Sequence, residues 1–250
     1  MIETGLAALP LLGLIFFVAA VYSAVGHGGA SGYLAILSLF SFPAQEMSST
    51  ALLLNVLVSS LAFWSFWKGG HKLPKFAWLL VIASIPLSFV GGALTVGDNL
   101  YKLLLAFALT FAAVRLASAS SATDDSQLRA PKPLMLLGAG GGIGLLSGIV
   151  GVGGGIFLSP LAVLSRWTTV KSAATLSAMF ILVNSLAGLA GRAATDRLVI
   201  APAVGLMLAA FAGGLIGSRL GARRFGAVGL RRLLAFVLVI AAAKLAFVAF

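Results

Sequence analysis

The chain has 250 residues, 60% of them hydrophobic and 9% charged, with a mean hydropathy of +1.11, whereas a soluble domain carries about 25% charged residues. An ordinary soluble globule is excluded; at about 20 apolar residues per membrane-crossing helix, the length holds about 8 to 10 helices and no folded soluble domain. The net charge of +11 does not point to nucleic acid, because the basic residues lie between apolar runs, where cytoplasmic loops are basic. With no cysteine, and only His27 and His71, the chain offers no disulfide, thiolate nucleophile, zinc cage or haem cage, and no metal or cofactor is expected.

Glu3, rather than Lys or Arg, precedes the first apolar run, so a cleaved signal peptide is not expected and that run is read as a retained membrane helix. Apolar runs follow at 6–25, 33–42, 47–67, 76–96 and 100–117, separated by Gly, Pro or charge. The stretch 118–133 (SASSATDDSQLRAPKP) is polar, contains two prolines and reads as a solvated linker. Beyond it the pattern returns at 134–150, 156–164, 173–189, 198–215 and 233–250. The expected organisation is a first membrane repeat (1–117), a cytoplasmic linker (118–133) and a second membrane repeat (134–250).

Self-comparison supports a duplication. Gly26, Gly28 and Gly29 match Gly151, Gly153 and Gly154; Thr50 matches Thr175 and Ser60 matches Ser185; farther on, Gly91-Gly92 match Gly213-Gly214 and Leu104–Phe107 match Leu233–Phe236. Splitting each leading segment at its glycines gives five elements per half and inverts the second half. The cytoplasmic side then collects Lys68, Lys72, Lys75, Arg115, Arg129, Lys132, Arg166, Lys171, Arg219, Arg223, Arg224, Arg231 and Arg232, leaving Lys102, Arg192, Arg197 and Lys244 outside. That is 13 basic residues against 4, where the unsplit alternative gives 9 against 8, so the positive-inside rule selects inversion. The expected fold is an all-α polytopic membrane protein of two inverted repeats, each of about 4–5 helical elements, with glycine-broken or re-entrant helices at the start of each half.

The breaks are Gly26-His27-Gly28-Gly29-Ala30-Ser31-Gly32 and Gly151-Val152-Gly153-Gly154-Gly155. Each Gly costs about 1 kcal/mol against Ala inside a helix, so such clusters free backbone N–H groups, which survive at membrane depth only against protein, water or ligand. A helix that begins just after a break aims those groups and its positive dipole end at an anion. The same glycines would also serve close helix packing, the role assigned to Gly91-Gly92 and Gly213-Gly214. The expected substrate-binding set is Gly28, Gly29, Ser31, His27, Thr50, Gly153, Gly154, Gly155, Thr175 and Asn184. His27 is a proton relay or a structural hydrogen-bonding group. Thr50 and Thr175 cap helices or face the site. Asn55 and Asn184 bond across helices or line it, and Glu46 is read as a helix-start cap.

The clusters GHGGASG and GVGGGIFLSP, followed by MSSTA and KSAATLSA, resemble the sulfite exporter TauE/SafE family of membrane permeases over nearly the whole chain. Gly153, Gly154, Gly155 and Pro160 match the family's Gly-Gly-Gly-x-x-x-x-Pro pattern. In the first cluster Ala30 replaces the third glycine, Ala35 the proline, and His27 and Tyr33 are additional. The resemblance implies a multi-pass transporter of the cell (inner) membrane for a small anion such as sulfite or an organosulfonate. The lipid bilayer would be its surroundings and protons a coupling ion resting on His27. Two rivals remain: an intramembrane serine hydrolase, from Gly29-Ala30-Ser31-Gly32 with His27 nearby, and a non-transporting membrane scaffold. The expected function is therefore that of a carrier without catalysis.

Overall fold

The computed structural model describes residues 8–117 and 128–223, with 239 and 243. Residues 118–127 of the linker lie outside the described residues. So do most of the last apolar run, Arg224, Arg231, Arg232, Lys244 and the side chain of Arg115. Among the described residues the regular elements are all helices: α1 (Ala8–Ser23), α2 (Ala30–Leu39), α3 (Ala44–Lys68), α4 (Ala77–Ala93), α5 (Asp98–Ala117), α6 (Pro133–Val150), α7 (Gly155–Leu164), α8 (Val170–Ala193) and α9 (Ala201–Arg223). Their ends follow local chemistry. Helix α8 begins at Val170, ahead of its apolar run, because the Thr169 hydroxyl accepts the N–H of Ser172 at 3.2 Å.

Lengths sort the helices. The 25 residues of α3 reach about 37 Å at 1.5 Å per residue, enough for a hydrocarbon layer of about 30 Å. Helices α6 and α8 and the stretch Ala203–Ala222 of α9 are also long and apolar enough to cross. With 10 residues each, α2 and α7 reach about 15 Å, about half of such a layer. Large apolar side chains, among them Ile82, Phe107, Leu134, Val204 and Leu208, cover the outside, the surface a lipid environment requires.

Glycines set how closely the long helices approach. Along α6, a Cβ on Gly140, Gly144 or Gly148 would meet the backbone of Leu80, Ser84 and Ser88 in turn, so α4 and α6 run parallel with their backbones in contact. Along α9, Gly213, Gly217 and Gly221 meet in the same order the carbonyls of Phe16 and Ala20 of α1 and of Ala24 just beyond it. Gly91 and Gly92 abut the backbone of Leu145 and Gly188. Helix α3 lies against α8 and α9, while α8 lies against α3 and α4.

Helices α3 and α8 are antiparallel. Gln45 Nε2, at the start of α3, donates to the carbonyl of Arg197 beyond the end of α8 at 2.9 Å. Thr175 Oγ1, near the start of α8, donates to the carbonyl of His71 beyond the end of α3 at 3.0 Å. The face of the latter bond gathers basic residues. Lys171 Nζ donates to Gly221 O at 2.7 Å, and Arg129 N to Arg166 O at 2.7 Å, beside the loop that bears Lys72 and Lys75. Exposed Trp64, Trp67 and Trp78 lie at the same end, with Lys68 Nζ 4.6 Å from the Trp64 ring centre, as an interfacial aromatic belt would place them.

Candidate functional site

Both halves leave the helix at glycines. After α1 the chain passes through 24–29 and re-enters the helix behind Gly29, at φ +100°; after α6 it passes through 151–154 and re-enters behind Gly154, at φ +82°. A side chain at these two positions would be forced into the left-handed region, at about 1–2 kcal/mol for an L-residue. Neither N-cap glycine offers a side-chain acceptor. The first N–H groups of α2 and α7, which no helix can satisfy internally, therefore depend on tertiary partners.

One partner is in place. Ala30 N, the first amide of α2, donates to Asn55 Oδ1 of α3 at 3.1 Å. The two breaks meet on this same side chain. A Cβ on Gly28 would strike Asn55 Oδ1 and come within 3.0 Å of Ile181 Cγ2; a Cβ on Gly153 would come within 2.5 Å of Asn55 Nδ2, 2.8 Å of Ile181 Cγ2 and 3.3 Å of Ser185 Oγ. Asn55 Nδ2 and Ser185 Oγ are both buried with no hydrogen-bond partner, a state that costs about 1–3 kcal/mol per group. The Tyr33 hydroxyl, also buried and unpartnered, lies 2.8 Å from the position a Cβ on Gly29 would take. Three donors of hydrogen bonds thus border the two broken segments.

His27 spans the gap from the first break towards the second, with its Cδ2 3.6 Å from the Cβ position of Gly155. Its Nδ1 lies 3.1 Å from the carbonyl of Val25; since a carbonyl only accepts, Nδ1 bears the proton and Nε2 is the atom that takes up a second one. Gly154 is packed between Ile143 and Phe180, and Gly155 against Ile181.

Other candidate residues are engaged elsewhere. Ser31 Oγ donates to Tyr22 OH at 2.8 Å, inside the protein. Thr175 fastens the loop after α3 through His71 O; Thr169 caps α8, and Pro43 precedes α3 without a side-chain cap bond, leaving Glu46 in the first turn to act on the helix dipole. Thr50 Oγ1 is buried and unpartnered in the interior of α3. Asn184 Nδ2 bonds Phe180 O of its own helix at 2.8 Å, with Oδ1 unpartnered. Sequence reading passed over Ser185, visible only as a repeat match to Ser60, and Arg192. The signal for Arg192 was available: a charged residue closing an apolar run is a functional candidate when it turns inward. Among the described residues no three His, Asp or Glu side chains converge to hold a metal.

Apolar helices of membrane length around buried polar side chains define a multi-pass helical membrane protein. The sequence pattern of the sulfite exporter TauE/SafE family matches residues 11–245, and the chain belongs to this family of membrane transporters. It is similar to the probable membrane transporter protein y4hK of Sinorhizobium fredii (strain NBRC 101917 / NGR234), with 33% identity over 238 residues that cover 94% of this chain and 96% of that protein. No solved structure matches the chain.

Proposed function

We propose that the chain is a secondary transporter that exports a small oxyanion or sulfonate, sulfite being the type, through one central site between the two glycine breaks. The observation that carries this reading is the convergence of Gly28 and Gly153 on one Asn55–Ile181–Ser185 surface whose donors are buried without partners. A buried donor without an acceptor is costly, and an anion supplies the acceptor. The starts of α2 and α7, behind Gly29 and Gly154, add two positive dipole ends to the same region. Helices α2 and α7 then act as re-entrant elements. The antiparallel α3–α8 pair and the matched α1–α9 and α4–α6 contacts support halves related by inversion, rocking about that site. The face bearing Lys72, Lys171 and Arg166 is taken as cytoplasmic, with the linker 118–133 on the same side.

In this reading the anion is held by the amides near Gly28, Gly29, Gly153, Gly154 and Gly155, by Asn55 Nδ2, Ser185 Oγ and the Tyr33 hydroxyl, with His27 available for proton coupling. Ser31, Thr175 and Asn184 position the elements around the site. The hydrolase reading gains no support: Ser31 donates to Tyr22, while His27 Nδ1 faces Val25 O.

The test is thermal stability of the purified chain against sulfite, thiosulfate, sulfate, sulfonates and small carboxylates. A ligand at 100 times its Kd stabilises by about 2.7 kcal/mol. A selective shift for one anion class that disappears in Asn55→Ala and Ser185→Ala supports the site. A shift unchanged in both variants moves the site elsewhere. No shift with any anion, from a chain that unfolds cooperatively, counts against anion transport.

A further inference from the structure

A second cluster of polar groups lies away from the central site, at the face where α3 begins and α8 ends. There a cavity of about 150 Å³ is lined by Gln45, Ser48, Asp98, Tyr101, Arg192 and Arg197, among others, well above the 10–15 Å³ that a single water needs (about one probe sphere). Its mouth is exposed at Gln45 and Asp98, and its floor is the buried Ser48, Tyr101 and Arg192.

The charges there are unbalanced. Arg192 is 2% exposed, and its Nη2 donates at 3.0 Å to both Gly148 O and Ile149 O, the carbonyl end of α6. Its Nε is buried without a partner. Arg197 Nη1 donates to Leu94 O, and at 3.5 Å to Ala93 O, at the end of α4. Among the described residues neither guanidinium is paired with a carboxylate, so two cations share a cavity with the single acid Asp98. A buried cation lacking a counter-ion is expensive, and guanidinium groups make strong charge-assisted bonds to oxyanions. The first turn of α3, which starts at Ala44 behind a proline without a side-chain cap, adds free amides to the same cavity.

We propose that this cavity is a second oxyanion site, an antechamber on the non-basic face of the protein, with Arg192 and Arg197 as its anion-binding residues. Its position links it to the centre. Tyr101 OH donates to Val150 O at 3.2 Å, so the floor grips the last three carbonyls of α6 immediately before Gly151. An anion drawn to Arg192 competes with those carbonyls and is felt at the second break. The antechamber role rests on the transport reading above; the binding of an oxyanion does not.

The experiment titrates sodium sulfite calorimetrically into the full chain in phosphatidylcholine nanodiscs, for wild type, Arg197→Gln, Arg192→Lys and Asn55→Ala. Arg197 is only half-buried, which keeps its variant informative should Arg192→Lys fail to fold. Losing charge-assisted bonds predicts a fall of about tenfold to a hundredfold in affinity at one site in the arginine variants, with that site retained in Asn55→Ala. Arginine variants that titrate as wild type overturn the proposal, and if Asn55→Ala then abolishes binding, the central reading stands alone. The reverse pattern, loss in Arg197→Gln and none in Asn55→Ala, upholds this site while the central one fails. Repeating the titration in phosphatidylglycerol discs identifies the source of the oxyanion. Competition at the arginine-dependent site assigns it to a lipid headgroup phosphate, and unchanged sulfite binding assigns it to a soluble anion; either supports an oxyanion site.

Discussion

Gly142→Ala and Gly148→Ala, six residues apart on α6, are expected to move stability in opposite directions. At Gly142 a Cβ would meet nothing within 4 Å, so Ala gains its helix propensity, about 1 kcal/mol over Gly. At Gly148 the Cβ would overlap Ser88 O and lie 2.7 Å from Gly92 N, with Gly91 C at 2.9 Å. All three are backbone atoms of α4, which cannot swing aside as the end of a side chain can. To restore an ordinary contact of about 3.5 Å the helices must part by about an ångström, which loosens the α4–α6 seam along its length. Overpacking of this kind costs about 1–3 kcal/mol, which outweighs the propensity gain. At about 2–4 °C per kcal/mol for a chain of this size, Gly142→Ala should raise Tm by a few degrees and Gly148→Ala lower it by a few. Both are to be scanned at one heating rate in one detergent, because membrane-protein unfolding is often kinetically controlled. Equal shifts for the two variants would refute the backbone-contact argument for the α4–α6 seam.

Gly154→Ala should be destabilised by about 1–2 kcal/mol from its left-handed backbone alone and should lose anion-induced stabilisation, both read in one thermal-shift series; an unstrained variant that still binds would detach Gly154 from the site. Ser31→Ala removes the bond to Tyr22 and is expected to cost about 1 kcal/mol while anion binding persists; a hydrolytic activity that vanished with Ser31 would reverse the assignment. Thr175→Val frees the loop at His71 and should lower transport rate in proteoliposomes more than anion affinity, whereas an affinity loss as large as that of Asn55→Ala would return its hydroxyl to the site. His27→Gln keeps a hydrogen-bonding side chain but cannot gain a second proton; sulfite flux should then stop responding to an imposed pH gradient, and flux that still follows the gradient would remove His27 from coupling.

Much of the architecture was legible in the chain because backbone hydrogen bonds in lipid must be satisfied within a helix. Apolar runs therefore become helices, and the glycine clusters between them can be seen directly in the sequence. The expectation of an internal repeat rests on the same kind of signal, glycine clusters that recur at matching positions. Which side of each helix faces inward was not legible. A helix that is apolar all round has no amphipathic stripe to show its buried face, so Thr175, Ser31, Asn55 and Ser185 were equivalent as small polar interruptions. Sequence by itself determined a helical, multi-pass membrane protein of a transporter family. Tertiary structure alone decided that Asn55 and Ser185 stand between the breaks, that Ser31 and Thr175 are spent on Tyr22 and His71, and that Arg192 turns inward. The reason is geometric: these partners lie far apart in the chain and are brought together by glycine-spaced backbones whose close approach fixes the rotation of every helix.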